Sequence, residues 1–280
     1  MLTKNRTGTG RSLMQGLLWL YFLISIYPLF WMISYSLKNN DEIFVTNPFG
    51  IPLNFRIENY INAWSQFNIP RYFINSLVVS TISTVGILIL AIMFSYTVAR
   101  MEWKFREAAR IYLIIGMFIP LQVIMIPLAI LVKEFHLVNT YGALIVPYIA
   151  FGLPFSSLIF YGFMRSIPIE LEESACMDGA TIYRTFFSII VPIVKPAIAT
   201  VAIFQFLGAW NEFLLAYILI SDELMKTLPL GLLFFQGQYS TDWGGMGAVM
   251  TIASLPMVIV FLFFSEQVER ALTVGSSVKG

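Results

Sequence analysis

The side chains able to do chemistry are few and fall in two places. Glu170, Glu172, Glu173 and Asp178 crowd a polar stretch around Cys176 and Gly179, and Glu212 stands by itself inside a long apolar run. Paired carboxylates can trade protons or hold a metal, but both tasks need partners placed against them. Those partners are missing: His136 is the sole histidine, Cys176 the sole cysteine, and no Gly-x-x-x-x-Gly-Lys-Ser/Thr phosphate loop occurs. Glu173 with Asp178 is too sparse for a catalytic site. We therefore expect no catalytic residue, no metal site and no cofactor on this chain. Any nucleotide hydrolysis it depends on must take place on another polypeptide. Cys176 cannot close an intrachain disulfide and reads as a small packing residue. His136, in a short loop near Glu134, reads as a solvated side chain.

The setting that must position these residues is a membrane. Of 280 residues, 58% are hydrophobic and 12% charged, whereas soluble domains carry about 25% charged residues. The net charge of +1 names no partner, and no nucleic acid is expected. Crossing the hydrocarbon core takes a helix of about 20 residues. Six runs are long enough: 13–37, 72–98, 111–132, 143–164, 196–220 and 246–264. The first follows the basic residues Lys4, Arg6 and Arg11. It is too long for the core of a cleavable signal peptide, carries Trp19, Tyr21 and Trp31, and lacks a small-residue exit, so it reads as an uncleaved anchor.

Between the runs, basic residues alternate. Twelve (Lys4, Arg6, Arg11, Arg100, Lys104, Arg106, Arg110, Arg165, Arg184, Lys195, Arg270, Lys279) share the side of the amino terminus, against five (Lys38, Arg56, Arg71, Lys133, Lys226) on the other. This bias puts both termini, and the stretch 165–195, in the cytoplasm. The expected fold is all-α, one transmembrane domain over 1–280 with six helices and a cytoplasmic loop between the fourth and fifth. Pro120 and Pro127 are expected to interrupt the third span, and Pro147 and Pro154 the fourth. Their surroundings do not match as paired halves, which weakens a secondary transporter built on repeats.

Within 165–195, Ser166 and Pro168 read as a helix start. The three glutamates then face the positive end of the helix dipole, and Gly179 is the left-handed stop. A second helix is expected from near Thr181 to the residue before Pro192, with Tyr183, Phe186 and Phe187 on one side. Physics alone yields a stiff, acidic, protruding element. Carboxylates that merely complement a dipole contribute about 0.3 to 1 kcal/mol each when exposed.

At these residues the chain resembles a known family. The pattern Glu-Ala-Ala, three residues, Gly, nine residues, Ile, one residue, Leu-Pro marks the membrane subunits of binding-protein-dependent ABC importers. Glu173, Ala175, Gly179, Ile189 and Pro192 match it, with Ser174 and Val191 as small departures. In that family the loop is a coupling helix docked in a cleft of a cytoplasmic ATPase. The resemblance implies that role for Glu170, Glu172, Glu173, Ala175, Asp178, Gly179, Ala180, Ile189 and Pro192. It also implies a second homologous permease subunit, an ATPase dimer carrying ATP and magnesium, an extracytoplasmic solute-binding protein, and a home in a bacterial or archaeal cytoplasmic membrane.

Glu212 lies eight residues before Ile220, roughly 12 Å of helix, hence in the outer half of the bilayer. A charge there needs a cavity, a partner or a proton. The segment Ala209–Leu214 resembles the fifth helix of sugar-importing members of the family, and the Gly275–Gly280 end is similar to their termini. Gln205, Trp210, Asn211 and Glu212 are candidates for lining a translocation path. Structural hydrogen bonding between helices is the competing reading, as it is for Asn75 and Gln122. No Lys or Arg lies deep in a span, which favours a neutral solute such as a sugar or polyol. Another solute class, or an ion-coupled transporter with Glu212 as proton site, are the alternatives. The outer segment 56–67 reads as a short amphipathic helix that either caps helix ends or meets the binding protein. Leu228–Leu232 reads as a re-entrant or interfacial turn, and Trp243-Gly244-Gly245 as a loop.

Overall fold

A computed structural model of the chain describes residues 8–237 and 241–277. Lys4, Arg6 and the Val278-Lys279-Gly280 end lie outside the described residues. Among those described, regular structure is helical apart from an isolated antiparallel bridge between Gln236 and Thr241. The helices are α1 (Gly8–Ser36), α2 (Glu58–Gln66), α3 (Ile69–Arg100), α4 (Arg106–Ile115), α5 (Leu121–Glu134) and α6 (Gly142–Arg165). The short α7 (Glu170–Met177), α8 (Ile182–Thr185) and α9 (Val191–Ile193) follow, then α10 (Lys195–Asn211), α11 (Leu214–Leu219), α12 (Leu228–Gly231) and α13 (Trp243–Ser277).

Four helices are long and apolar enough to cross a membrane: Ser12–Ser36, Ile69–Arg100, Gly142–Arg165 and Trp243–Phe263. Two bent pairs pass the same test together, Arg106–Phe118 with Leu121–Glu134 at 103° and Ile182–Ile193 with Lys195–Asn211 at 72°. The described chain thus offers four to six membrane helices. In α1 large apolar side chains such as Leu17, Trp19, Tyr21 and Ile24 are exposed around the helix, as a lipid-facing segment requires.

The chain divides into two compact units. One holds α1, α2 and the first part of α13. Here α2 forms where an amphipathic helix was expected, and it works as a cap. Asn59 Nδ2 donates to the carbonyls of Ser36 and Lys38, both at 2.9 Å, satisfying groups that the end of α1 leaves without partners. The buried Lys38 donates in turn to the Asn47 carbonyl at 2.6 Å and the Gly50 carbonyl at 2.7 Å. Gly244 and Gly245 do not form a loop but open α13. A Cβ on Gly244 would strike the Lys38 carbonyl and the Asn59 amide, and one on Gly245 the Phe235 ring.

The second unit runs from Pro70 through α12 and resumes at Leu255. Its third apolar run is broken as expected, but only at Pro120: Ile119 before it is extended (ψ 112°), as proline demands of its predecessor. Pro127 sits inside α5, and Pro147 and Pro154 are buried inside an uninterrupted α6. Helices packed in membranes tolerate such prolines because neighbours re-satisfy the released backbone groups. The fifth run is broken where no proline or glycine signals it, at Glu212 and Phe213.

Asn75 resolves as structural in this unit. Fully buried, it donates to the carbonyls of Leu224 (2.9 Å) and Lys226 (2.8 Å) and accepts from Tyr141 Oη (2.8 Å). Asn75→Leu strands all three partners, at about 1 to 3 kcal/mol per buried group. The expected result is at least about a tenfold rise in the rate of tryptic cleavage after Lys226, since each 1.4 kcal/mol changes an opening equilibrium tenfold. An unchanged cleavage rate would show that Asn75 does not hold this segment.

Candidate functional site

The acidic stretch folds as a helical hairpin in the second unit. In α7, Glu170, Glu172 and Glu173 occupy the first turn. Gly179 then turns the chain at φ +76° with open space around it, so glycine is needed there for its backbone rather than its size. Ser166 is not the cap: its hydroxyl donates back to the Phe163 carbonyl at 2.7 Å, and α7 begins after Ile169. Beyond the corner, Thr181 Oγ1 accepts from the Arg184 amide at 3.4 Å and caps α8.

The second helix departs from its expected course. A π-helical segment spans Phe186–Ile190, and the helix continues through Pro192 in α9 instead of stopping before it. The aromatic face is split. Phe186 is buried, while Tyr183 is 76% and Phe187 63% exposed.

The three glutamates also part company. Glu170 and Glu173 face outward. Glu172 turns in, forming an ion pair with Arg100 at the end of α3, the two side chains 14% and 7% exposed. Tyr96 Oη donates to the other carboxylate oxygen at 3.0 Å, and Arg100 also donates to the carbonyls of Ile167 (3.0 Å) and Pro168 (3.3 Å). Removing one partner of so buried a pair costs about 3 to 5 kcal/mol. Sequence reasoning placed Arg100 only among the charges that orient the chain, and missed Tyr96.

On its outer side the hairpin forms an open hollow of about 370 Å³. Leu171, Ser174, Ala175, Asp178, Ala180 and Ile189 line it, with Arg184 and Ser188. Four of the nine residues expected to act in coupling (Ala175, Asp178, Ala180 and Ile189) are thereby brought to one concavity. Cys176, expected as a small packing residue, is instead exposed, and Pro192 is exposed in α9.

A second cavity, of about 250 Å³, opens between α3, α5, α6, α10 and α11. Gln205, Glu212, Tyr148 and Phe151 line it, with apolar residues and Gly152 and Gly208. Gln205 Nε2 donates to Ser156 Oγ at 2.9 Å. Glu212 Oε1 accepts from the Leu215 amide at 2.8 Å, and Oε2 from the Ala216 amide at 3.2 Å and Tyr148 Oη at 2.6 Å. Glu212 thus caps the start of α11 and still faces the cavity. The other two candidates lie off it. Trp210 is 2% exposed between Phe73 (5.4 Å, edge-on) and Phe206 (5.8 Å, stacked). Asn211 donates to the Leu207 carbonyl at 2.8 Å on an exposed face. Among the described residues that line the cavity none is Lys or Arg.

The chain matches the family described as binding-protein-dependent transport system inner membrane component over residues 87–274. It is 34% identical over 267 residues to the diacetylchitobiose uptake system permease protein NgcG of Streptomyces coelicolor, covering 95% of this chain and 88% of that one. It is 31% identical over 258 residues to the trehalose/maltose transport system permease protein MalG of Thermococcus litoralis, covering 91% and 92%. Its fold is similar to a chain in a bacterial ABC transporter involved in the import of the acidic polysaccharide alginate, with a TM-score of 0.81 and 18% identity over 95% of this chain and 99% of that one. That identity is low enough for the last likeness to concern the fold.

Proposed function

The chain belongs to the family of binding-protein-dependent transport system inner membrane components, and we propose that it is one permease subunit of an ATP-driven importer for a sugar or polyol. It forms half of the translocation pathway, with a second homologous permease providing the other half. An extracytoplasmic binding protein delivers the solute, and an ATPase dimer in the cytoplasm carries ATP and magnesium. The four long helices together with the two bent pairs, each pair taken as one broken span, make six crossings with both termini in the cytoplasm.

The observation that carries the reading is the α7–Gly179–α8 hairpin, with an open hollow on its outer side. It has the form of a docking element, and the family likeness extends across it. Closure of the ATPase pair on ATP moves the hairpin, and the helices rooted in it carry that motion to the outer gate. The sugar assignment is supported by the two relatives named for diacetylchitobiose and for trehalose and maltose transport. It is supported again by a cavity with hydroxyl-matching groups and no lining cation.

The test uses the native thiol. Cys176 is exposed on α7, so a short bifunctional reagent in native membranes is expected to join it to an ATPase-sized protein in an ATP-dependent yield. Absence of any such adduct, with uptake persisting after ATP depletion, would sink the importer assignment.

A further inference from the structure

One turn of α3 grips the hairpin at several points. Tyr96 and Arg100 stand four residues apart, on one face of the helix. Arg100 reaches the segment joining α6 to α7 through the Ile167 and Pro168 carbonyls, and α7 itself through Glu172. Tyr96 takes the second oxygen of Glu172, and its ring lies 4.9 Å from that of Phe186 on the returning limb. Both limbs of the hairpin are therefore fastened to the end of a helix that is not adjacent to them in the chain. The side chains of Tyr96, Arg100, Glu172 and Phe186 are buried or nearly so, Pro168 is exposed, and Tyr96 and Phe186 belong to a core that includes Phe160, Met164 and Ile190. A guanidinium suits this position because its fixed fork meets one carboxylate oxygen and two carbonyls at once, which an ammonium cannot do with the same geometry.

We infer that Arg100 and Tyr96 are positioning residues that make α7 and α3 move as one body, so that displacement of the hairpin is delivered to α3 directly as well as through its covalent neighbours α6 and α10. The inference rests on the importer reading and adds to it a route of transmission. Breaking the fastening leaves the hairpin able to shift while α3 stays behind, so ATP is hydrolysed without a matching movement of solute.

The experiment uses the complete importer in proteoliposomes. Spin labels sit on native Cys176 of α7 and on a cysteine introduced as Met93→Cys, an exposed position of α3. With Arg100 present, the distance between the labels is expected to be the same in the nucleotide-free and ATP-bound states. In Arg100→Gln it is expected to change with ATP, and solute imported per ATP hydrolysed to fall by about tenfold, within the range of coupling between sites. Arg100→Lys should recover part of that ratio. Tyr96→Phe, which removes one hydrogen bond and keeps the ring, should show a smaller loss and stands in if Arg100→Gln fails to assemble.

A label distance that changes with ATP while Arg100 is intact overturns the inference. So does a ratio unaltered in Arg100→Gln, or a parallel fall of transport and hydrolysis in every variant, which marks a purely structural role. If the unmodified complex shows no ATP-dependent uptake, the importer reading itself fails, and that failure is visible without any variant.

Discussion

Glu212→Ala is expected to lower the thermal unfolding midpoint of the purified chain in detergent by about 10 °C or more, at roughly 2 to 4 °C per kcal/mol for a chain of this size. Three donors lose their acceptor together: the amides of Leu215 and Ala216 and the Tyr148 hydroxyl. Each stranded group costs about 1 to 3 kcal/mol where water cannot replace the bond. Glu212→Gln keeps one oxygen but turns an amide N–H toward a donor, so it should fall between the two. This ordering also separates two roles for the residue. A proton site for ion-coupled transport predicts a Gln variant as stable as the parent but deaf to the proton gradient. A capping role predicts a loss of stability in every variant without a carboxylate. If Glu212→Ala melts where the parent does, the capping role is wrong.

The contrast between Glu212 and Gly179 shows what the sequence could disclose. The corner at Gly179 is a local event: one residue at positive φ, preceded by a short helix with acids in its first turn, and all of that is written within about ten positions. The break at Glu212 is equally local in the backbone but has no breaker residue. The carboxylate itself makes the break tolerable by taking up the amides beyond it, and hydropathy sees only a continuous apolar run. Pro120 was legible because proline constrains its predecessor. Pro147 and Pro154 misled because packing in α6 absorbs them. Likewise Gly244 and Gly245 looked like a loop, whereas they are small because Asn59, Lys38 and Phe235 crowd the start of α13.

The least legible feature was the fastening of the hairpin to α3. Arg100 and Glu172 are 72 positions apart, and each had an adequate local explanation, a loop charge and a dipole partner. Only the return of the chain past the end of α3 brings them together. Position in a motif therefore conceals a difference within the acidic trio: Glu170 and Glu173 point away from the chain, while Glu172 is spent on holding the hairpin in place.

If the hollow between α7 and α8 is where the ATPase seats, Ala180→Trp should abolish ATP-dependent uptake while leaving the chain at its normal level in the membrane. Ala180 lies at the rim of that 370 Å³ hollow beside the corner glycine, only partly buried and outside the packed clusters. A large ring there can occupy open space without displacing core side chains, so the variant is expected to fold. What it excludes is a partner's side chain. If the ring excludes an anchoring side chain of the partner, an interaction of about 2 to 4 kcal/mol is lost, so affinity for the isolated ATPase should drop by about thirtyfold to a thousandfold. Ala180→Ser, which adds one small atom, should bind much as the parent does. Salt gives the decisive comparison. Docking carried by the outward glutamates would weaken as ionic strength rises, because exposed charges are screened beyond about 10 Å at 0.1 M. Docking carried by shape would leave the deficit of Ala180→Trp the same at low and high salt. A tryptophan variant that binds normally would remove the hollow from the docking surface and leave the acidic first turn of α7 as the element that meets the ATPase.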